Sequence, residues 1–274
     1  MIKVVPLKFD SMFKKIFGQK KIFCEFVKDV LGIELKIKKV TQDYQYKETI
    51  GKVNVKYDLF AEDEEQRIIV EMQNVKETDF YDRFLYYHSL ALIEQVPDSW
   101  SYRYDRTVYT IAILSSIPRD KSVDFSVGTM DMSILTENDE RKLVYPHKLI
   151  FLNPRLINKK TPKGVRAWLE LIEDFLDGKM ADKMKKSRFK NIVQQIEKSK
   201  LNPDELAILK DEQAWETSKQ TSFNEGMDTG LAQGSKQTKL EMAKNMVNEG
   251  IDIEVISKVS GLSQKEILEI KNKG

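Results

Sequence analysis

VNVKYDLFAEDEEQRIIVEMQ, residues 53–73, decides the fold. Two strand-like segments, 53–60 and 67–73, flank the acidic stretch AEDEEQ, which reads as a hairpin loop. Side chains alternate along a strand, so Ile68, Val70 and Met72 share one face, and Ile69, Glu71 and Gln73 share the other. The first face suits complete burial; the second carries an ionisable carboxylate inside an otherwise apolar run. On the preceding strand Asp58 shares a face with Lys56 and Phe60. If the two strands pair across residues 61–66, Asp58 and Glu71 meet. Two adjacent carboxylates repel, and burying either one unpaired costs several kcal/mol. A divalent cation with a taste for oxygen ligands, Mg2+ above all, removes that cost. The plainer alternative is a solvated or lysine-bound pair.

Working outward, Phe9, Phe13, Ile16 and Phe17, then Ile22, Phe23, Phe26, Val27, Val30 and Leu31, recur at helical spacing, predicting helix over 8–31 with stops at Gly18 and Gly32. A strand is expected near 35–40. On the C-terminal side, a helix over 79–94 opens at a Thr78 or Asp79 cap, with Pro97 just beyond it. Within it Arg83 and Tyr86 or Tyr87 lie about one turn apart, so Arg83 and one tyrosine share a face. Arginine suits bidentate phosphate binding, and tyrosine donates to phosphate or stacks on a base. The competing reading makes the tyrosines core aromatics beside Phe80, Phe84 and Leu85. Phe84 and Leu85 are assigned to the core and Arg83 and Tyr87 to a site, while His88 reads as a packing or surface residue. TVYTIAILSS, residues 107–116, is a continuous apolar strand, and a weaker one is expected at 147–152.

From about residue 163 the pattern turns helical. KGVRAWLELIEDFLDG runs to Gly178, and in NPDELAILKDEQAW Asn202 caps, Pro203 takes the first helical position and Glu205 the third. Gly226, Gly230 and Gly234 mark a flexible or weakly helical connector. The last residues predict one helix ending at Gly250, another over 252–259, a turn at Gly261, and a third opened by a Ser263–Glu266 capping box. Ser257, Gly261, Ile256, Ile267 and Ile270 are spaced as in a helix-turn-helix. Lys265, Lys271 and Lys273 against Glu266 and Glu269 form a thin basic face, so a small bundle for protein contact is the alternative. The domain reading is a core at 1–160, a helical extension at 161–222, a connector at 223–236 and a helical tail at 237–274.

The totals bound the function. Of 274 residues, 41% are hydrophobic and 32% charged, which suits a globular chain. No apolar run approaches the roughly 20 residues of a membrane span, and MIKVVPLKFD shows no secretory core, so a cytoplasmic location and no membrane partner are expected. One cysteine, Cys24, excludes an intrachain disulfide framework and reads as a packing residue. Two histidines, His88 and His147, do not make a His-rich zinc site. A net charge of +2 does not suit a chain that coats nucleic acid without specificity, though local patches still bind phosphate.

FDSMFKKIFG, KYDLFAEDEEQRIIVEMQ and DRFLYYHSLALIEQ together resemble the Rpn family of recombination-promoting nucleases, also described as transposases, within the PD-(D/E)XK nuclease superfamily. The likeness extends through GKMADKMKK and the glycine-spaced connector to VSGLSQKEI, and is loosest around 97–160. It implies an α/β (α+β) fold: a mixed sheet flanked by helices, followed by an all-α C-terminal extension. It also implies a Mg2+-dependent DNA endonuclease, with Mn2+ as an alternative ion, acting in recombination or transposition-like breakage. Asp58 and Glu71 take the positions of the family's metal-binding acids, and the Met72 main-chain carbonyl is a further ligand. Gln73 stands where the wider superfamily usually has lysine. Asp10 matches an acidic position that sits beside the metal or caps its helix. The missing positive charge is expected from Lys56, Lys76, Arg83 or a second metal, with Lys56, Arg83 and Tyr87 contacting DNA. The C-terminal helices are a candidate surface for a homo-oligomer. The alternative is a non-catalytic protein that binds nucleic acid or another protein on a nuclease-like core.

Overall fold

The computed structural model describes residues 4–47, 53–73, 80–96, 100, 102–118, 122–176 and 188–273, of which Lys273 in its backbone alone. The chain divides into two compact units, Met1–Leu209 and Lys210–Gly274.

The first unit is built on a mixed six-stranded sheet: β1 (Thr41–Tyr44), β2 (Tyr57–Glu62), β3 (Gln66–Gln73), β4 (Thr107–Leu114), β5 (Val127–Leu135) and β6 (Arg141–Leu152), in the order β1-β2-β3-β4-β6-β5. β1, β2 and β3 are antiparallel neighbours, β3, β4 and β6 run parallel, and β5 returns antiparallel along β6. Asp63 closes the β2–β3 hairpin, its Oδ1 accepting the backbone N–H of Glu65 and Gln66.

Helices cover both faces. On one, Leu59, Ala61, Ile68, Val70, Ile111, Ile113 and Ile150 pack against α1 (Asp10–Phe17), α2 (Lys20–Leu31), α4 (Lys163–Leu176) and α5 (Lys190–Ile196). Trp168 of α4 lies at the middle of this layer. Phe26 and Phe189 have ring centroids 5.3 and 4.7 Å from its own, and its indole N–H donates to Asp29 Oδ2 at 2.7 Å. The helices read from sequence as an extension starting at 161 thus contribute to this core. On the other face Ala112, Leu114, Leu149 and Phe151 meet Phe80 and Phe84 of α3 (Phe80–Ile93).

Several sequence expectations are corrected. The helical stretch expected over 8–31 is two helices, parted at the expected Gly18 stop with Gln19 extended between them. Gly18 ends the first where a side chain would collide with Gln42, whose Nε2 donates to the Lys14 carbonyl at 3.0 Å. The strand expected at 35–40 lies at 41–44, and that expected at 53–60 lies at 57–62. β6 begins at Arg141 rather than 147, extended by pairing with β5, a strand whose mostly exposed residues gave no apolar pattern. Leu85, assigned to the core, is 45% exposed because it falls on the outer side of α3. Thr78, Asp79, Lys76, Pro97, Gly178 and GKMADKMKK lie outside the described residues.

α6 (Pro203–Asn248) opens with the expected capping box: Asn202 Oδ1 accepts from Glu205 N at 2.9 Å and Glu205 Oε2 from Asn202 N at 3.1 Å. It is helical through 223–236, where a flexible or weakly helical connector was expected, and side chains bond one turn along it, Gln220 to Asn224 and Thr229 to the Glu225 carbonyl. In the second unit Ala243, Ile256, Leu262 and Ile267 make a small core joining α6 to α7 (Ile253–Ser260) and α8 (Gln264–Lys273). Gly261 takes the left-handed turn at φ 70°, and Ser263 and Glu266 form the second capping box. Among the described residues no helix is long and apolar enough to cross a membrane.

Candidate active site

The β2–β3 register places Leu59 opposite Val70, so the next pair is Asp58 and Glu71. There the side chains take over from the backbone ladder. Asp58 N–H donates to Glu71 Oε1 at 2.8 Å, and Met72 N–H donates to Asp58 Oδ2 at 3.1 Å. An extended residue points its N–H and C=O to the same strand edge, so the Met72 carbonyl also faces β2. The Gln73 carbonyl faces the other way, accepting Ser115 N–H at 2.9 Å.

The same register carries the row one strand further. Gln42 pairs with Leu59 and Tyr44 with Tyr57, which sets Asp43 opposite Asp58. Asp43 has φ 53°, a left-handed conformation that a non-glycine residue seldom adopts. Asp43, Asp58 and Glu71 therefore lie side by side across three strands. α1 delivers Lys14 to them. Its Nζ is 2.5 Å from Asp10 Oδ2, 2.6 Å from Asp43 Oδ1 and 3.8 Å from Asp58 Oδ1, with its side chain 9% exposed. Lys56 Nζ reaches the same Asp43 Oδ1 at 2.9 Å.

The electrostatics follow from burial. Glu71 is 3% exposed; desolvation, then the neighbouring Asp58 charge, raises its pKa well above the usual carboxylate range. Desolvation likewise pushes Asp58 up to about 6, against the Met72 N–H bond and with Asp10 adding to the rise. Lys14 and Arg83 pull both acids the other way. Burial works against the Lys14 charge as well, but Asp10 and Asp43 hold its pKa above the ordinary lysine value. Asp43 is itself held low by Lys14 and Lys56 in spite of desolvation.

The structure thus brings together Asp58, Glu71, Met72, Asp10 and Lys56, the last two through Lys14 and Asp43. Asp10 is the first residue of α1, follows an N-cap position held by Phe9, and spends an oxygen on Lys14. Arg83 stands on the exposed side of α3, its guanidinium 5.2 Å from the centre of the Tyr87 ring and donating to the Tyr87 hydroxyl at 3.1 Å. Tyr87 is half-buried, and its carbonyl accepts the Tyr57 hydroxyl at 3.0 Å. Gln73, at the end of β3, is half-buried. His88 is a packing residue, 2% exposed, with Nδ1 2.9 Å from Thr110 Oγ1 and burial lowering its pKa to about 4.

Sequence reasoning missed Lys14 and Asp43. Lys14 lies one helical turn after Asp10 and was readable as its ion-pair partner; Asp43 gives no signal until the β1–β2 register is known. Among the described residues no three His, Cys, Asp or Glu side chains converge as a complete metal cage. Two carboxylates and a carbonyl at one strand edge, all oxygen, match instead a hard cation that keeps most of its waters.

A protein-family model described as PD-(D/E)XK nuclease family transposase matches residues 7–225. A second, described as Rpn/YhgA-like nuclease family, C-terminal HTH domain, matches residues 236–272. Neither a curated protein nor a solved structure matches the chain.

Proposed function

The chain belongs to the PD-(D/E)XK nuclease family of transposases, and on that footing we propose that it is a Mg2+-dependent endonuclease that hydrolyses DNA phosphodiesters in recombination or transposition-like breakage. The observation that carries this reading is the pairing of a half-buried Asp58 with a buried Glu71, two adjacent acids whose pKa values desolvation raises. Asp58, Glu71 and the Met72 carbonyl are the residues that would hold the cation, with Mn2+ as a substitute. When bound there, such an ion polarises a phosphoryl oxygen and makes an attacking water more acidic.

The chain's own groups do the remainder. Crossed bonds between β2 and β3 lock each carboxylate by a backbone N–H, leaving Glu71 Oε2 and Asp58 Oδ1 for other partners. Gln73 orients water through its amide without adding charge. Arg83 and Tyr87 on α3 meet the DNA backbone, joined by Lys56 at the rim. The C-terminal helix-turn-helix supplies a second contact with DNA.

The test is nicking of supercoiled plasmid with Mg2+ or EDTA, beside Asp58→Ala and Glu71→Ala. Cleavage is expected with Mg2+ alone, falling roughly 1000-fold or more in either variant, the scale of losing a site that supplies several kcal/mol of charge stabilisation. Cleavage that survives both substitutions would place the activity elsewhere. Binding without nicking in any divalent metal would make the chain a non-catalytic binder, the outcome that glutamine in place of lysine at position 73 favours.

A further inference from the structure

We infer that Lys14, on α1, supplies to the Asp58–Glu71 pair the positive charge that Gln73 does not. The inference rests on the nuclease reading for its purpose, but on geometry for its substance. Lys14 is 7% exposed, and its ammonium contacts three carboxylates, Asp10, Asp43 and Asp58. A surface lysine has no reason to accept such burial, which sacrifices hydration and side-chain freedom. Three features hold it in place. Gln42 donates to the Lys14 carbonyl, Gly18 leaves room for that glutamine, and Asp43 adopts a left-handed backbone while its carboxylate reaches Nζ.

Charge balance explains the arrangement. The described residues around the pair hold four carboxylates, Asp10, Asp43, Asp58 and Glu71, against three cations, Lys14, Lys56 and Arg83. Of those three, Arg83 is exposed and Lys56 half exposed, so their charges are screened by solvent. Lys14 is the buried one, and its field reaches Asp58 through protein. Lys14 is therefore a positioning residue: it holds Asp58 and Asp10 in place and offsets their charge, so that an anionic phosphate can approach the acids. A lysine two residues after Glu71 would deliver the same charge from β3; here it arrives from a helix.

Two readouts on the full chain test this. Plasmid cleavage is expected to fall about 100-fold in Lys14→Gln, the scale of losing one electrostatic stabiliser. Much of it should return in Lys14→Arg, and also in Lys14→Gln combined with Gln73→Lys. A merely structural lysine would not be rescued from another strand. Mn2+ binding, followed by the paramagnetic signal of the free ion, is expected to move the opposite way. Removing a cation beside the carboxylates tightens Mn2+ on the order of tenfold, whereas a damaged fold would weaken binding and cleavage together. Lys14→Gln that cleaves within about threefold of the parent, binds Mn2+ no more tightly, or is not restored by Gln73→Lys overturns the assignment. A parent chain that binds Mn2+ but cleaves nothing overturns the nuclease reading, and tighter Mn2+ binding by Lys14→Gln then still supports the placement of the charge.

Discussion

The β2–β3 hairpin carries a buried charged cluster at each end, and the two are built on opposite terms. Near the turn, Arg67 is 4% exposed and lies 5.5 Å from the centres of both the Tyr46 and Phe60 rings. Its guanidinium binds Glu62 Oε2 at 2.9 Å, Glu94 Oε2 at 2.7 Å, the Ala91 carbonyl at 2.9 Å and the Tyr46 hydroxyl at 3.1 Å. Arg106 lies 4.0 Å from Glu62, so two cations face two carboxylates. At the strand ends, Glu71 is as deeply set and Asp58 half-buried, the two are short of counter-charge, and burial raises the pKa of both. A closed cluster with matched charges stabilises a fold. An open one keeps a deficit that a ligand fills, and stability is sacrificed to hold it ready.

The largest effect expected from this contrast is on the closed side. Arg67→Ala removes one of the donors to the Ala91 carbonyl, opens a space between two rings and uncouples Glu62 from Glu94. The expected loss is about 4 kcal/mol, the scale of breaking a buried ion pair by removing one partner, read as a lower midpoint in chemical denaturation. Molecules that remain folded should cleave within about threefold of the parent. A loss of under about 1 kcal/mol would show that the Arg67 cluster is not the stabilising end.

How far the sequence foretold this difference depends on the range of each interaction. Glu71 announced itself because an acid within IIVEM violates strand alternation, and such local conflicts collect at functional sites. The capping boxes at Asn202 and Ser263 were legible because their partners sit three residues away. Asp43 and Lys14 were not, since their meeting needs the β1–β2 register and the docking of α1 beside Gln42. Arg67 read as an ordinary strand residue, because Glu94 and Ala91 reach it from the far end of α3. β5 stayed hidden because exposed residues such as Met130, Ile134 and Leu135 alternate with no buried face to reveal them.

A smaller effect sharpens the open side. Asp58 titrates near 4 in an unfolded chain and is pushed up to about 6 by desolvation in the fold, and desolvation raises Glu71 well above the usual carboxylate range. Between these values the native state binds more protons than the unfolded one, so stability falls as pH rises from about 4 through about 6. Below about 4 both states are protonated and the penalty is absent. For metal-free protein at pH 7.5, Glu71→Gln should therefore melt above the parent, by roughly 5 °C, the scale of an ordinary single-substitution effect on a unit of this size. The gap should close towards pH 4. Mg2+ should raise the melting temperature of the parent and leave the variant unmoved. A variant that melts lower at pH 7.5 would mean that the pair is already neutralised within the protein.

The smallest effect compares the two arginines. Arg67 has its donors placed inside the protein, whereas Arg83 stands exposed and holds Tyr87 through a 3.1 Å bond and a ring contact. If Arg83 is held for phosphate, the Tyr87 hydroxyl orients it and the ring supports it, and each is worth little alone. Exposed hydrogen bonds to a charged group lose most of their strength to water. Tyr87→Phe keeps the ring beneath the guanidinium, so plasmid affinity at fixed salt should fall by less than about threefold, well under 1 kcal/mol. Arg83→Ala removes a phosphate contact and should flatten the slope of log affinity against log salt by about one. The melting temperature should hold in both, since neither change touches a buried partner beyond the Tyr57–Tyr87 bond, which uses a backbone carbonyl. A tenfold loss in Tyr87→Phe with an unchanged salt slope would show that the hydroxyl itself touches a base. The open cluster would then read sequence as well as charge.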